Sequence, residues 1–260
     1  MTRRFMKMFL VVFFCGVLPN SAAFSEDAAL SYSENYAPRM PIKVQKKIAL
    51  PKGYHEGILS HKGRIWVNNG KGQNTWVINP ETGEVESVIA SLGRFTEAIA
   101  PAPDGNFWIT DWDDKRIYRA KLEKGEWEIV SQIPIKDARP TGLARVAGAM
   151  YAIIWERGLG TKYYLLKFDK EGNISERIRI KRIHEPSQLA WDGNALWITS
   201  WYSGIVYKIN IDSRKVEGSF KSPGVETTGI AWDGKCFWIT GTNADLYKVE
   251  ILNSDISAEE

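Results

Sequence analysis

Leu196–Trp201 reads LWITSW, and nearly the same phrase stands at Phe107–Trp112 as FWITDW and at Phe237–Thr242 as FWITGT. Each copy is followed by an alternating stretch, such as IVYKINI at Ile205–Ile211. Aligning the chain on the central aromatic adds IWV around Trp66 and MYA around Tyr151. The five centres Trp66, Trp108, Tyr151, Trp197 and Trp238 are then spaced by 42, 43, 46 and 41 residues. A period of roughly 40–50 residues holding four short strands marks a β-propeller blade.

Each unit follows one grammar. A turn such as GIAWDGK (Gly229–Lys235) precedes the aromatic strand, a second alternating strand follows, and an outer strand such as KVEGSF closes the unit. Asp-Gly at Asp104–Gly105, Asp192–Gly193 and Asp233–Gly234 supplies the positive φ of a tight hairpin, so these Asp residues read as turn formers rather than metal ligands. The last unit ends at ADLYKVEIL (Ala244–Leu252), one strand short, while IKVQKKIAL (Ile42–Leu50) is a surplus strand at the start. Together they predict an all-β, five-bladed propeller with four antiparallel strands per blade, the N-terminal strand closing the last blade. Closure leaves no open edge between the ends of the ring.

The 260 residues divide accordingly. Residues 1–23 carry Arg3, Arg4 and Lys7, an apolar run from Phe9 to Leu18 and small residues at Ser21–Ala23, the layout of a secretory signal peptide. The expected boundaries are 1–23 signal peptide, 24–41 flexible lead, 42–252 a single propeller domain and 253–260 polar tail. Export to the periplasm or the outside follows, with no transmembrane segment left after cleavage. Without residues 1–23 the chain has 31 basic and 31 acidic residues, a balance that argues against nucleic-acid binding. RIRIKRIH (Arg177–His184) alternates as an outer strand would. Cys236 is then the only cysteine, so no internal disulfide is available, and a monomer stabilised by core packing is expected.

Function is sought where a propeller converges on its axis, at the start of each inner strand and in the loop between second and third strands. The first positions hold His55 and Glu56, Thr96 and Glu97, Arg139 and Thr141, Ser187 and Gln188, and Thr227 and Thr228. The second, four places past each central aromatic, hold Gly70, Trp112, Trp155, Trp201 and Thr242. Three adjacent blades thus present an indole at one rim position, as a pocket wall or as a cap on the channel. Aromatic walls around inward carboxyls are the general form of a small-molecule or peptide site. A carboxyl desolvated against indole has a raised pKa and suits proton shuttling. Glu97 is the stronger candidate, because its own blade supplies Trp112 whereas the blade of Glu56 has Gly70. The alternative for either is an ion pair with Arg94 or Arg139.

FTEAIAPAPDGNFWITDW (Phe95–Trp112), PSQLAWDGNALWITSW (Pro186–Trp201) and TTGIAWDGKCFWITG (Thr227–Gly241) resemble blades of the plant-type glutamine cyclotransferases. That family's matching motifs run Gly-Glu-Gly-Leu-Thr, Asn-Glu-Leu-Glu-Trp and Asn-Gly-Ile-Ala-Tyr-Asp. The resemblance implies a five-bladed ring and cyclisation of N-terminal Gln to pyroglutamate with release of ammonia. It implies that Glu97 carries the proton, that Trp112 and Trp201 line the pocket, and that neither metal nor other cofactor is required. The family's third pocket Trp, its Asn and its Lys fall at Thr141, Ser187 and Thr242, with Trp155 able to replace the Trp from another angle. HEGILSHKGRIWVNN (His55–Asn69) is also similar to the first blade of gluconolactonase-type propellers, six-bladed and metal-dependent. A third reading is non-catalytic, a propeller that binds a peptide, glycan or protein partner.

Overall fold

The computed structural model describes residues 29–30 and 38–252, so the expected signal peptide and polar tail lie outside the described residues. The described chain is all-β. Strand β1 (Ala29–Leu30) and strand β2 (Ile42–Ala49) precede the first complete blade. Blade 1 is β3 (His55–His61), β4 (Arg64–Asn69), β5 (Asn74–Ile78) and β6 (Val85–Ala90). Blade 2 is β7 (Thr96–Pro101), β8 (Phe107–Asp111), β9 (Arg116–Glu123) and β10 (Glu126–Pro134). Blade 3 is β11 (Ala138–Val146), β12 (Ala149–Gly158), β13 (Gly160–Phe168) and β14 (Ile174–Ile180). Blade 4 is β15 (Pro186–Trp191), β16 (Leu196–Ser200), β17 (Ile205–Asn210) and β18 (Lys215–Lys221). Blade 5 takes β19 (Thr227–Trp232), β20 (Phe237–Gly241) and β21 (Asp245–Ile251), and β2 is its fourth strand.

The closure follows the strand count. β2 lies antiparallel to β21, paired from Ile42↔Ile251 to Ala49↔Asp245 with a bulge between Val44 and Lys46. The inner strands β3, β7, β11, β15 and β19 touch in ring order, with β19 returning to β3. Five buried seams join neighbouring blades, and the repeated phrase explains them. Its central aromatic packs towards the next blade, against the residue preceding that blade's own central aromatic. Trp66 stacks on Phe107 with ring centroids 5.5 Å apart, and Trp197 meets Phe237 at 4.8 Å. Trp108 shares a cluster with Met150, Tyr151 with Leu196, and Trp238 with Ile65.

The Asp-Gly turns form as their chemistry requires. Gly193 and Gly234 sit at φ 98°, and Asp192 Oδ1 accepts the backbone N–H groups of Asn194 and Ala195, each at 2.7 Å. Cys236 is buried beside its turn.

The N-terminal stretch holds a feature that its polar composition does not signal. Ala29–Leu30 pairs in parallel with Arg179–Ile180, and Leu30 is 1% exposed in the seam between blades 3 and 4. The basic strand Arg177–Ile180 is therefore the fourth strand of its blade but not a bare edge. Further on, Met40 N donates to Ser219 O at 2.7 Å and Ser219 N to Pro38 O at 3.1 Å. The segments before β2 thus lie along the outer strands of blades 3 and 4 before the chain completes blade 5.

Candidate functional site

The start of every inner strand carries a β-bulge, at the level where the candidate residues stand. The register shifts between His55 and Ile58, Thr96 and Ala98, Pro140 and Leu143, Pro186 and Leu189, and Thr227 and Gly229. The extra residues are Glu56 and Gly57, Glu97, Thr141 and Gly142, Ser187 and Gln188, and Thr228. A bulge bends its strand and re-aims side chains, so a fivefold set gathers these residues at one end of the channel.

The bulges interlock around the ring. Asn68 Nδ2 donates to Glu97 O at 3.3 Å, the Thr110 hydroxyl donates to Thr141 O, and Ser187 Oγ donates to Thr227 O at 3.0 Å. Gln188 crosses from blade 4 to blade 2, its Nε2 donating to Glu97 O at 3.2 Å. Gly57 and Gly142 make room for this bond. A Cβ at Gly57 would collide with Glu97 O and the Gln188 amide, and one at Gly142 with the Gln188 backbone. Gln188 thus spans the channel between blades 4 and 2. Beyond it, at the other end of the inner strands, lies a separate cavity of about 160 Å³ lined by Ile58, Ile99, Leu143 and Leu189 among others.

Two buried glutamates stand at the bulges of blades 1 and 2. Glu97 is 8% exposed and Glu56 7%. Burial, aided by the charges of Asp111 and Asp113 and opposed by Arg139, pushes Glu97 up to about 8. Burial and then the neighbouring Glu97 hold Glu56 well above the usual carboxylate range, with Lys71 opposing. The ion-pair alternative is not what forms. Arg94 Nε binds Asp114 at 2.6 Å, and Arg139 Nη1 binds Asp113 Oδ1 at 3.1 Å and Trp112 O at 2.9 Å. The Arg139 guanidinium carbon lies 4.9 Å from the Trp112 ring centroid.

The starts of the inner strands also hold buried polar atoms that find no partner. His55 Nδ1 and the hydroxyls of Thr96, Thr141, Thr227 and Thr228 are buried with no hydrogen-bond partner among the described residues. All five belong to starts of inner strands. Buried polar groups are nearly always satisfied, so a water or a polar ligand is expected at these atoms. Ser187 differs, since its hydroxyl already bonds Thr199 Oγ1 at 2.7 Å and Thr227 O.

The rim indoles do not form one continuous wall. Trp112 and Trp155 meet edge to face at 5.4 Å, and Trp155 also contacts Tyr163 at 5.2 Å. Trp155 sits within a strand rather than at a strand end, because β12 and β13 run for ten and nine residues where β8 and β16 have five. Its indole N–H donates to Pro186 O at 2.7 Å, which fixes it across the gap to blade 4. Trp201 is half-buried on blade 4 with its backbone N–H bonded to Glu185 O at 2.9 Å, and it makes no ring contact with the other two. Thr242 is exposed at the rim of blade 5.

Three residues near the carboxyls were not singled out in the sequence. Lys71 stands 4.2 Å over the Tyr54 ring, and Tyr54 is raised by burial and then by Glu56 and Glu97. Arg157, on the long hairpin of blade 3, lies 5.7 Å from the Trp112 ring centroid. Lys71 has a legible position, one place beyond the rim residue Gly70. Tyr54 and Arg157 carry no comparable signal.

The carboxyl pair has a consequence for stability. The folded protein keeps the Glu97 proton up to about pH 8, whereas an unfolded Glu releases it near 4.5. Between those values the native state binds more protons, so this group's contribution is complete below about pH 4.5 and is lost as pH climbs through about 8. Urea denaturation at pH 5 and pH 8.5 should show stability falling with pH, by at most ~1.4 kcal/mol per pH unit for one group. Glu97→Gln should flatten that slope. An identical slope in the variant would show that the carboxyl is not buried as a neutral acid.

Together the fold and site define a five-bladed propeller with two glutamates, Glu56 and Glu97, buried at the starts of its inner strands. No protein-family model and no curated protein matches the chain. Among solved structures it is similar to the glutaminyl cyclase of Myxococcus xanthus, at 14% identity over 84% of this chain and 100% of that one, with a TM-score of 0.67. It is also similar to the PQQ-bound aldose sugar dehydrogenase of Streptomyces coelicolor, at 12% identity over 82% and 99% of the two chains, with a TM-score of 0.56. At these identities the likeness is one of fold.

Proposed function

We propose that this chain is a glutaminyl-peptide cyclotransferase-like enzyme that closes an N-terminal Gln to pyroglutamate in the channel mouth. The observation that carries the reading is Glu97. It is a buried carboxyl that makes no ion pair among the described residues, with its proton affinity pushed up to about 8. The glutaminyl cyclase fold neighbour supports the reading.

The chemistry needs a group that accepts and returns one proton. As the substrate's α-amine attacks the side-chain amide carbon, a C–N bond forms and the amine loses a proton to the Glu97 carboxylate. Glu97 then protonates the departing amide nitrogen, the second C–N bond breaks, and ammonia leaves with the carboxylate regenerated. A group with pKa near the working pH serves both halves. The developing oxyanion requires donors. The family's pocket Trp, Asn and Lys are replaced by Thr141, Ser187 and Thr242, and Thr141 and Thr228 offer buried unpartnered hydroxyls in this region. Lys71 supplies a cation beside Glu56 where Thr242 supplies none. Trp112 and Trp155 form the aromatic side of the mouth, and export would expose secreted peptides to the site.

Among the described residues no group of three or more His, Cys, Asp or Glu stands where it would hold a metal ion. The ring has five blades, not the six of the gluconolactonase-type propellers. The replaced Asn and Lys favour one other reading, a propeller that binds the peptide without cyclising it. Incubating the protein with a Gln-initiated peptide and following ammonia loss by mass spectrometry separates the two. Turnover supports the cyclase. Quenching of Trp fluorescence by the peptide with no mass change overturns it in favour of the binding module.

A further inference from the structure

At the opposite end of the blades, blade 2 lacks a turn contact that blades 4 and 5 share, and two donors are left free there. In blades 4 and 5 the turn Asp stands five places before the central Trp and accepts its indole N–H. Trp197 Nε1 donates to Asp192 Oδ2 at 2.7 Å, and Trp238 Nε1 to Asp233 Oδ2 at 2.9 Å. In blade 2 that place is Pro103, and Asp104 is one residue too close to Trp108. Asp104 pairs instead with Nη2 of Arg119, whose guanidinium carbon lies 5.7 Å from the Trp108 ring centroid. Among the described residues the Trp108 indole N–H has no acceptor, and neither has the buried Arg119 Nε.

Trp108 and Arg119 both line a cavity of about 430 Å³ between blades 2 and 3, at the ends of their strands remote from Glu97. Its apolar walls include Pro101, Pro103 and Met150. Arg145 and Lys170 complete the lining as exposed cations without a partner among the described residues. The carboxylate in the lining is Asp169, already engaged by the backbone N–H of Asn173 at 2.8 Å and by its amide at 3.1 Å. The volume is in the range of small-molecule sites. Flat apolar walls suit an aromatic ring, and an excess of free donors and cations suits a carboxylate.

We propose that this cavity is a binding site, separate from the channel mouth, for a small planar aromatic carboxylate. The ring lies against Trp108 and Met150, and the carboxylate takes the donors left by the shifted turn together with Arg145 and Lys170.

The probe is 2-naphthoate, titrated calorimetrically into the protein and into an Arg145→Glu/Lys170→Glu variant. Both substituted side chains are exposed, so the variant keeps the fold. Saturable binding is expected, weakened about tenfold or more in the variant, since charge-assisted hydrogen bonds are lost. Neutral 2-naphthalenemethanol should bind the native protein about as poorly, on the same grounds. The indole resonance of Trp108, assigned by its loss in Trp108→Phe, should move on binding, and Glu97→Gln should bind 2-naphthoate unchanged. If the Phe variant fails to fold, the charge variant decides alone. Absence of saturable binding, equal affinity for the alcohol, or indifference to the charge reversal would overturn the proposal.

Discussion

Glu97→Gln should lower the turnover of a Gln-initiated peptide by ~10²–10⁴-fold, the usual loss when a positioned acid–base is removed. The fall should lie in kcat more than in KM, because the amide keeps the shape of the carboxyl and loses only its ability to exchange a proton. The same variant should be as stable as the native protein at pH 5 and more stable at pH 8.5. At the higher pH the native protein must either hold an ionised carboxyl in a buried site or take up a proton that the unfolded chain does not need. Loss of turnover without loss of stability is the signature that distinguishes a proton carrier from a packing residue. A variant retaining most of the native rate would remove Glu97 from the chemistry, and Glu56, the other buried glutamate beside it, would be the next to test.

The fold was legible because repetition multiplies weak signals. One Trp flanked by apolar residues says little, but five aromatics at a near-constant period, three with an Asp-Gly turn ahead, permit few architectures. Counting strands then gave the closure, since the last blade was short by the one strand that Ile42–Leu50 could supply. The candidate carboxyls were legible for the same reason, as equivalent places in aligned repeats. What aims them, the bulge at Glu56–Gly57 and at Glu97, was not, because a bulge is a matter of register and leaves no period in the residues. Gln188 reads in the sequence as an inner-strand start, and the bond it makes across to Glu97 O, past Gly57 and Gly142, leaves no mark there. Trp155 was expected at a strand end because the repeat was applied to blade 3 as to its neighbours. The longer β12–β13 hairpin shifts it into the sheet. Lys71 and Tyr54 escaped notice because they sit in loops whose path is set by Asn69, whose Oδ1 accepts Tyr54 N at 3.0 Å and Gly72 N at 3.2 Å. A two-residue parallel strand such as Ala29–Leu30 has no periodicity to read.

Truncation from the N-terminus should have two sharply different effects. A chain beginning at residue 38 loses the pairing of Ala29–Leu30 and the buried Leu30 side chain, a cost of about 1.5–3 kcal/mol. It should unfold in one cooperative step at a lower midpoint. A chain beginning at residue 53 loses all of β2, and with it Ile48 and Leu50, which are buried with Trp238 and Ile65 in the seam joining blade 5 to blade 1. Two such side chains contribute roughly 3–6 kcal/mol together, a large part of the 5–15 kcal/mol that usually separates folded from unfolded. The backbone of β21 would also become an open edge from Asp245 to Ile251, able to pair with another chain. The damage should not stay local, because each inner strand packs on both neighbours, and an opened seam strips blades 5 and 1 of one neighbour each and breaks the ring. The shorter chain should therefore aggregate or lose its native circular dichroism altogether. A synthetic peptide of residues 38–52 should restore it, as the missing strand supplied from outside. If the chain beginning at residue 53 melts as the full chain does, the ring is held without its N-terminal strand and the closure is wrong. If it fails but the peptide does not rescue it, β2 acts during folding rather than as the lasting fourth strand of blade 5.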